Sequence, residues 1–272
     1  MMSSTMRRMA LLALCMIPAT LPSHRLGSAV SAGQGTADQS RDTAGPVNQL
    51  TDDEKKAGWK LLFDGKSFAG WHNFKREDVR PGWQVKDGAL VCADPQNAGD
   101  LVTADKYDWF ELSIEYNISE AGNSGILFHV TDEGRTTWNT GPEIQLLDNQ
   151  KGRDAQRSGW LYQLYKPEND PKTNQPVDAT KPVGEWNHIR VVIAAHPAKS
   201  EVAMNGVKYY DFVWKSDDFK NRVAQSKFPK NSPNFAKYDT GYIGLQGDHG
   251  SVSFRNIKIH PLSVTKSASS VP

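Results

Sequence analysis

Cysteine is scarce in this chain, with only Cys15 and Cys92 among 272 residues. Cys15 lies in an N-terminal segment that reads as a cleaved leader, so Cys92 is left alone. A single thiol forms no intrachain disulfide, which excludes a disulfide-framed scaffold even for an exported protein. Stability must then come from a packed core. Charge of one sign is also missing: 32 basic residues face 31 acidic ones, for a net +1. Lys and Arg are scattered along the chain, which argues against nucleic acid or an anionic membrane as a partner. No window of twelve residues sustains a helical apolar period, and no apolar run is long enough to span a bilayer. The Gly-x-Gly-x-x-Gly and phosphate-loop patterns are absent, as is the Gly-x-Ser-x-Gly elbow of α/β-hydrolases. There is no His-x-x-x-His pair, and the acidic 94–100 stretch lacks the calcium-loop spacing.

The ends carry their own signals. Arg7 and Arg8 precede an apolar run from Met9 to Ile17, and Val30-Ser31-Ala32 offers small residues for cleavage. Residues 1–32 are therefore expected to be a signal peptide, and the protein to be exported to the periplasm or the extracellular space. Leu14 stands where a lipoprotein needs a small residue, which argues against anchoring at Cys15. Residues 33–50 are small and polar and read as a flexible linker. Thr51 and Glu54 have capping-box spacing and predict a short helix. One domain is expected over 51–262, with a disordered tail over 263–272.

Within that domain, strand signals recur at short spacing. They fall at 59–63, 83–91, 110–118, 188–194, 201–204, 242–246 and 251–259. Asp87-Gly88 and Asn205-Gly206 are tight-hairpin dipeptides. The apolar parity shifts between Phe254 and Ile257, which predicts a bulge near Arg255 and Asn256. Many short strands without intervening helices predict an all-β, antiparallel sandwich. The long polar insert of residues 149–181 is expected to be functional or disordered, and its aromatics favour function.

Candidate chemistry sits on two of these strands. In Asn123–Val130, Ile126, Phe128 and Val130 share one face by alternation, and Leu127 and His129 the other. In Glu143–Leu147, Ile144 and Leu146 share one face, and Glu143, Gln145 and Leu147 the other. If the apolar sets fill one core, His129, Glu143 and Gln145 meet on the wetter face, a set suited to handling carbohydrate. Glu143 and His129 are the candidate catalytic residues, and Gln145 a donor to sugar hydroxyls. Asn123 sits at a turn into its strand, either shaping the turn or touching substrate. Asp148 is either a substrate contact or a cap for the following loop. His249, in the turn 247–250, either borders the cleft or belongs to a plain hairpin. Trp138, Trp160 and Tyr162, on loops, are candidates for stacking on a sugar face; Trp71, Trp83 and Trp186 read as packing residues. No cofactor is required by these motifs. A divalent cation held by His129 with Glu143 or Asp148 is one option for mixed nitrogen and oxygen ligands.

An ordered series of motifs then carries a resemblance. It runs from Gly58-Trp59-Lys60-Leu61-Leu62-Phe63-Asp64-Gly65-Lys66 and Gly70-Trp71 through Trp83-Gln84-Val85-Lys86-Asp87-Gly88 and Gly99-Asp100-Leu101. Gly122-Asn123-Ser124-Gly125-Ile126, Gly141-Pro142-Glu143-Ile144-Gln145, Gly184-Glu185-Trp186-Asn187 and Gly241-Tyr242-Ile243-Gly244-Leu245-Gln246 continue it. His249-Gly250 and Phe254-Arg255-Asn256-Ile257 end it. Over residues 58–261 the chain resembles the 3-keto-disaccharide hydrolase family. The resemblance implies a concanavalin-like jelly roll of two curved antiparallel sheets and action on glycosides already oxidised at C3. A 3-ketone acidifies the C2 proton, so a base such as Glu143 can remove it and the C1 substituent can leave; direct hydrolysis is the other route. His129, a bound cation or Gln145 would stabilise the enolate oxygen. The alternative function is a non-catalytic, lectin-like glycan-binding module, which would not require a Glu–His pair aimed at one sugar carbon.

Overall fold

The structure is a computed structural model and describes residues 46–263. The expected signal segment with Cys15, linker residues 33–45 and tail residues 264–272 lie outside the described residues.

Alternation in the chain becomes two stacked antiparallel sheets. The larger runs in the order β11 (Val207–Val213), β10 (Lys199–Met204), β9 (Asn187–Ile193), β6 (Phe110–Ile118), β13 (Val252–Pro261), β4 (Ala89–Cys92) and β3 (Trp83–Lys86), with the short β1 (Lys60–Leu61) also on β13. The smaller runs β2 (Trp71–Asn73), β5 (Leu101–Thr103), β12 (Tyr242–Leu245), β7 (Asn123–Val130), β8 (Glu143–Leu147). This is the expected all-β jelly-roll sandwich of concanavalin type. Phe110, Leu112, Ile114, Ile189 and Val191 of the larger sheet face Ile126, Phe128, Ile144, Leu146 and Ile243 of the smaller. All ten are at most 1% exposed. Side chains of this size each contribute about 1.5–3 kcal/mol on burial, which is how a chain without disulfides holds together.

The turns follow their dipeptides. Asp87-Gly88 joins β3 to β4 with φ of 52° and 73°, and Asn205-Gly206 joins β10 to β11 with 49° and 80°. These positive angles match the right-handed strand twist, and they suit Asn, Asp and Gly. The Thr51–Glu54 capping box forms on α1 (Asp52–Lys56), and Lys258 adds an ion pair to Glu54 at 2.8 Å. The expected bulge in β13 is present, with the register shifting between Arg255 and Lys258 and Asn256 at φ 49°. Arg255 pairs there with Glu115 at 2.6 Å.

Three features differ from expectation. Asn48, inside the expected linker, is buried; it exchanges backbone–side-chain hydrogen bonds with Asn256 at 2.5 and 2.8 Å, so the anchored chain begins before residue 51. β11 has no clean alternation because Tyr209 and Tyr210 are both buried, and its pairing with β10 shifts between Val202 and Ala203. The helix α2 (Asp217–Gln225) is nine residues long with Phe219 its one buried residue. That is too short for an apolar period to register, although Ser216 caps it in the usual way. Among the described residues no helix is long and apolar enough to cross a membrane.

Candidate functional site

The outer face of the smaller sheet carries the site. In the register of β7 with β8, Leu127 lies opposite Glu143, Gly125 opposite Gln145, and Asn123 opposite Leu147. Glu143 and Gln145 therefore share the outer face, as their parity predicts. Gly125 is required there. A Cβ at that position would collide with Oε1 and Cδ of Glu143, so the carboxylate lies flat across the bare backbone of β7. On the far side, Gln246 continues β12 and donates its backbone N–H to Gly125 at 2.9 Å.

The insert finishes the wall. Its residues 159–162 run along β8 like a further strand: Gln145 donates to Trp160 at 2.9 Å, Gly159 to Gln145 at 2.7 Å, and Tyr162 to Glu143 at 2.9 Å. An exposed sheet edge beside the site is thereby covered. Tyr162 Oη donates to Asp154 at 2.9 Å. The short α3 (Phe228–Asn231) follows α2 and packs Phe228 edge-on to Tyr162, with ring centroids 6.5 Å apart. Together these elements enclose a cavity of about 320 Å³. Glu143, Gln145, Asn123 and Gln246 form its floor, Trp138 and His249 one side, and Asp154, Tyr162, Lys227, Phe228 and Asn231 the other. Asn123 Oδ1 and Gln145 Nε2 are buried without a hydrogen-bond partner among the described residues. An orphan acceptor and an orphan donor at one cavity are what a hydroxyl-rich ligand satisfies.

Of the sequence-derived candidates, Glu143, Gln145, Asn123, Trp138, Tyr162 and His249 converge here, while His129, Asp148 and Trp160 do not. His129, expected beside Glu143, lies instead in the interior at 0% exposure. The cause is a bulge: Val130 pairs with Tyr242 and Leu127 with Gly244, so β7 carries one residue more than β12 across that span. His129 absorbs it at φ 52°, and Gly241 permits the close approach, since a Cβ there would strike the His129 backbone. The imidazole packs among Trp214, Phe128, Trp109 and Phe110, with Nε2 on the Asp108 carbonyl at 2.5 Å. Burial pushes its pKa down to about 4. The same bulge sends Val130, expected in the core, to the outer face with Val102 and Leu127.

Asp148 caps the insert rather than facing the cavity. It accepts backbone N–H groups from Ala121 at 2.8 Å, Gln150 at 3.0 Å and Lys151 at 3.2 Å. Burial raises its pKa, but these donors outweigh that and hold it below the usual carboxylate value. Trp160 sits outside the cavity with Lys166 over its ring. The cation ligands considered from sequence are consequently not assembled, and the described residues contain no cluster of three or more His, Cys, Asp or Glu placed to hold a metal.

The electrostatics single out Glu143. Burial, then the nearby Asp100 charge, push its carboxyl up to about 8, against the opposing influence of His249 and Lys227. Asp100 is itself raised by burial, and it ties both sides of the cavity together. It accepts from Thr137 Oγ1 at 2.5 Å, beside Trp138, and from the Gly247 N–H at 3.1 Å, in the loop that carries His249. His249 is raised chiefly by its hydrogen bond to Asp248. Parity along β12 signals Gln246, which shares the outward phase of Tyr242 and Gly244. Asp100, Lys227, Phe228 and Asn231 had no such signal, because only the folding of distant segments over β8 brings them in.

Residues 58–260 match the family described as the 3-keto-alpha-glucoside-1,2-lyase-like domain. A 3-keto-disaccharide hydrolase of Bacteroides thetaiotaomicron is 30% identical over 241 residues, covering 75% of this chain and 79% of that protein. A provisionally assigned glycosyl hydrolase of Parabacteroides distasonis superposes with a TM-score of 0.70 at 33% identity, over 80% of this chain and 100% of that one. A second from the same organism gives 0.55 at 29% identity, over 75% and 99%. A carbohydrate-active, hydrolase-like protein is what the fold, the cavity and these relatives describe together, and the chain belongs to the 3-keto-alpha-glucoside-1,2-lyase-like family.

Proposed function

We propose that this protein is exported and cleaves 3-keto-glycosides by removing the C2 proton and expelling the C1 substituent. The observation that carries the reading is Glu143: a carboxylate laid across Gly125 in the cavity floor, with its pKa lifted by burial to about 8. A base of that strength is matched to a proton acidified by a neighbouring ketone, and less so to the unactivated C–H of an ordinary sugar. The carboxylate takes the C2 proton, the electron pair becomes the C2–C3 double bond, and the C3 oxygen takes up the charge. When the enolate collapses, the C1–O bond breaks and the leaving oxygen takes a proton. His249, held by Asp248 with its pKa raised, is placed at the cavity to give that proton. Water then adds across the C1–C2 double bond to release the 3-keto sugar. Asn123 and Gln145 bind hydroxyls through their orphaned amide atoms. Arg7-Arg8, the apolar run from Met9 to Ile17 and the small residues Val30-Ser31-Ala32 support a leader over residues 1–32 and, with it, export.

The test is incubation of the purified protein with one disaccharide in its 3-keto and its unoxidised forms. Cleavage of the ketone, with solvent deuterium entering C2 of the product and little action on the parent sugar, is the expected result. Equal cleavage of both would indicate an ordinary glycosidase, and binding without turnover a lectin.

A further inference from the structure

The displacement of His129 into the core leaves the neutral amide of Gln145, but no positive charge from His129, for the charge that develops on the C3 oxygen. Two cationic side chains line the cavity, His249 and Lys227. His249 is already engaged by the Asp248 carboxylate. Lys227 is held in another way. Its Nζ lies 4.3 Å from the centroid of the Tyr162 ring, and it forms no ion pair among the described residues. An aromatic face fixes an ammonium without neutralising it, since the ring offers a quadrupole and no counter-charge. The ring is fixed in turn, by the Tyr162 hydroxyl on Asp154 and by Phe228 against its edge. The Lys227 backbone is pinned to the insert, donating its N–H to Gln163 Oε1 at 2.9 Å, while the Gln163 N–H donates to Gln156 Oε1 at 3.0 Å. The ammonium is therefore positioned, with no ion pair among the described residues, on the lining of the cavity whose floor holds Glu143. Its charge reaches that floor, where it favours the ionised form of Glu143.

We propose that Lys227 is a catalytic residue, whose ammonium donates a hydrogen bond to the C3 oxygen of the substrate and stabilises the enolate formed when Glu143 removes the C2 proton. This deepens the proposed reaction and rests on it. The proton that Glu143 takes stays on its carboxyl group; Lys227 transfers none and contributes only charge and a donor. The interaction strengthens as the ketone oxygen becomes an enolate oxygen, so it acts on the transition state more than on bound substrate.

The experiment compares wild type, Lys227→Met and Lys227→Arg on a 3-keto-disaccharide. Met keeps a comparable stem over Tyr162 and removes the charge. Lys227 is exposed, so equal melting temperatures are expected and serve as the check on folding. Lys227→Met should lower kcat by about 10²–10³-fold with KM changed by less than about threefold. Lys227→Arg should recover part of the loss, and added methylammonium should restore measurable activity to Lys227→Met alone. A purely structural role would give neither cation rescue nor a loss confined to kcat. An active wild type with Lys227→Met within about threefold of it in kcat would overturn the assignment and leave the proposed reaction standing. So would a loss confined to KM and to acidic sugars, which would make Lys227 a binder of substrate carboxylate. A wild-type protein inert toward the ketone would remove both readings together.

Discussion

Glu143 and His129 exchange weight when their surroundings are compared. Both sit on adjacent strands with the parity of an active-site pair, yet one faces the cavity and the other the core. If Glu143 is the base, Glu143→Gln keeps the shape and hydrogen-bonding size while deleting the function. It should lower turnover by roughly 10²–10⁴-fold and leave the fold intact, as read by steady-state kinetics and circular dichroism. His129 should behave in the opposite way. Its ring fills an aromatic box and bonds the Asp108 carbonyl, so His129→Ala opens a hole and strands an acceptor. A loss of about 2–4 kcal/mol in denaturant unfolding is expected, with kcat per folded molecule changed little. A collapse of kcat in a stably folded His129 variant would return it to the chemistry.

The insert shows how an element without regular structure is held in place. Residues 149–181 contain no named helix or strand, yet Leu161 and Leu164 are buried, and Tyr165 stacks on Phe212 and Phe219. Its start is fastened by Asp148, whose carboxylate satisfies three backbone N–H groups. Its far wall, Asp154 and Tyr162, closes the cavity. Asp148→Ala should therefore cost about 1–3 kcal/mol in stability and raise KM more than it lowers kcat, with faster proteolytic nicking within 149–158 as the local measurement. Unchanged KM and nicking would mean that the aromatic contacts alone hold the loop.

For the molecule as a whole, buried titratable groups set how stability varies with pH. Glu143 binds its proton more tightly folded than unfolded, so its contribution is full below the ordinary carboxyl value of 4.5 and is lost as pH rises toward 8. His129 is opposite: its folded pKa is near 4 against an ordinary 6.5, so it disfavours the fold as pH falls through that window. Between pH 4.5 and 6.5 the two slopes oppose each other. Above 6.5 the Glu143 slope is no longer opposed by His129, and loss of the His249–Asp248 interaction adds to it as that raised imidazole deprotonates. Melting temperature should be nearly flat from pH 5 to 6.5 and fall toward pH 8, by the equivalent of about 2 kcal/mol from Glu143. Glu143→Gln should flatten that fall, and differential scanning calorimetry across the range measures it. A fall of the same size in Glu143→Gln would assign it to other groups.

The sequence by itself determined the parts of this protein that depend on neighbours along the chain. Strict alternation in Phe110–Ile118 dictates a half-buried strand, Asp87-Gly88 and Asn205-Gly206 dictate hairpins, and Thr51 with Glu54 dictates a capped helix start, because each is a matter of local backbone geometry. The ordered motifs carried the family for the same reason, being readable one after another. Parity also placed Glu143 and Gln145 correctly, since β8 is regular throughout. Tertiary structure decided the rest. One added residue in β7, accommodated against Gly241 just before β12, far along the chain, turned His129 inward and Val130 outward. Pairing of residues 159–162 along β8 and the docking of α3 brought Asp154, Lys227 and Asn231 to the cavity, and Asp100, just before β5, came to bond Thr137 and Gly247 with its charge felt at Glu143. A period of two says which side a residue faces only while the register is unbroken, and it says nothing of which remote segment will cover that side.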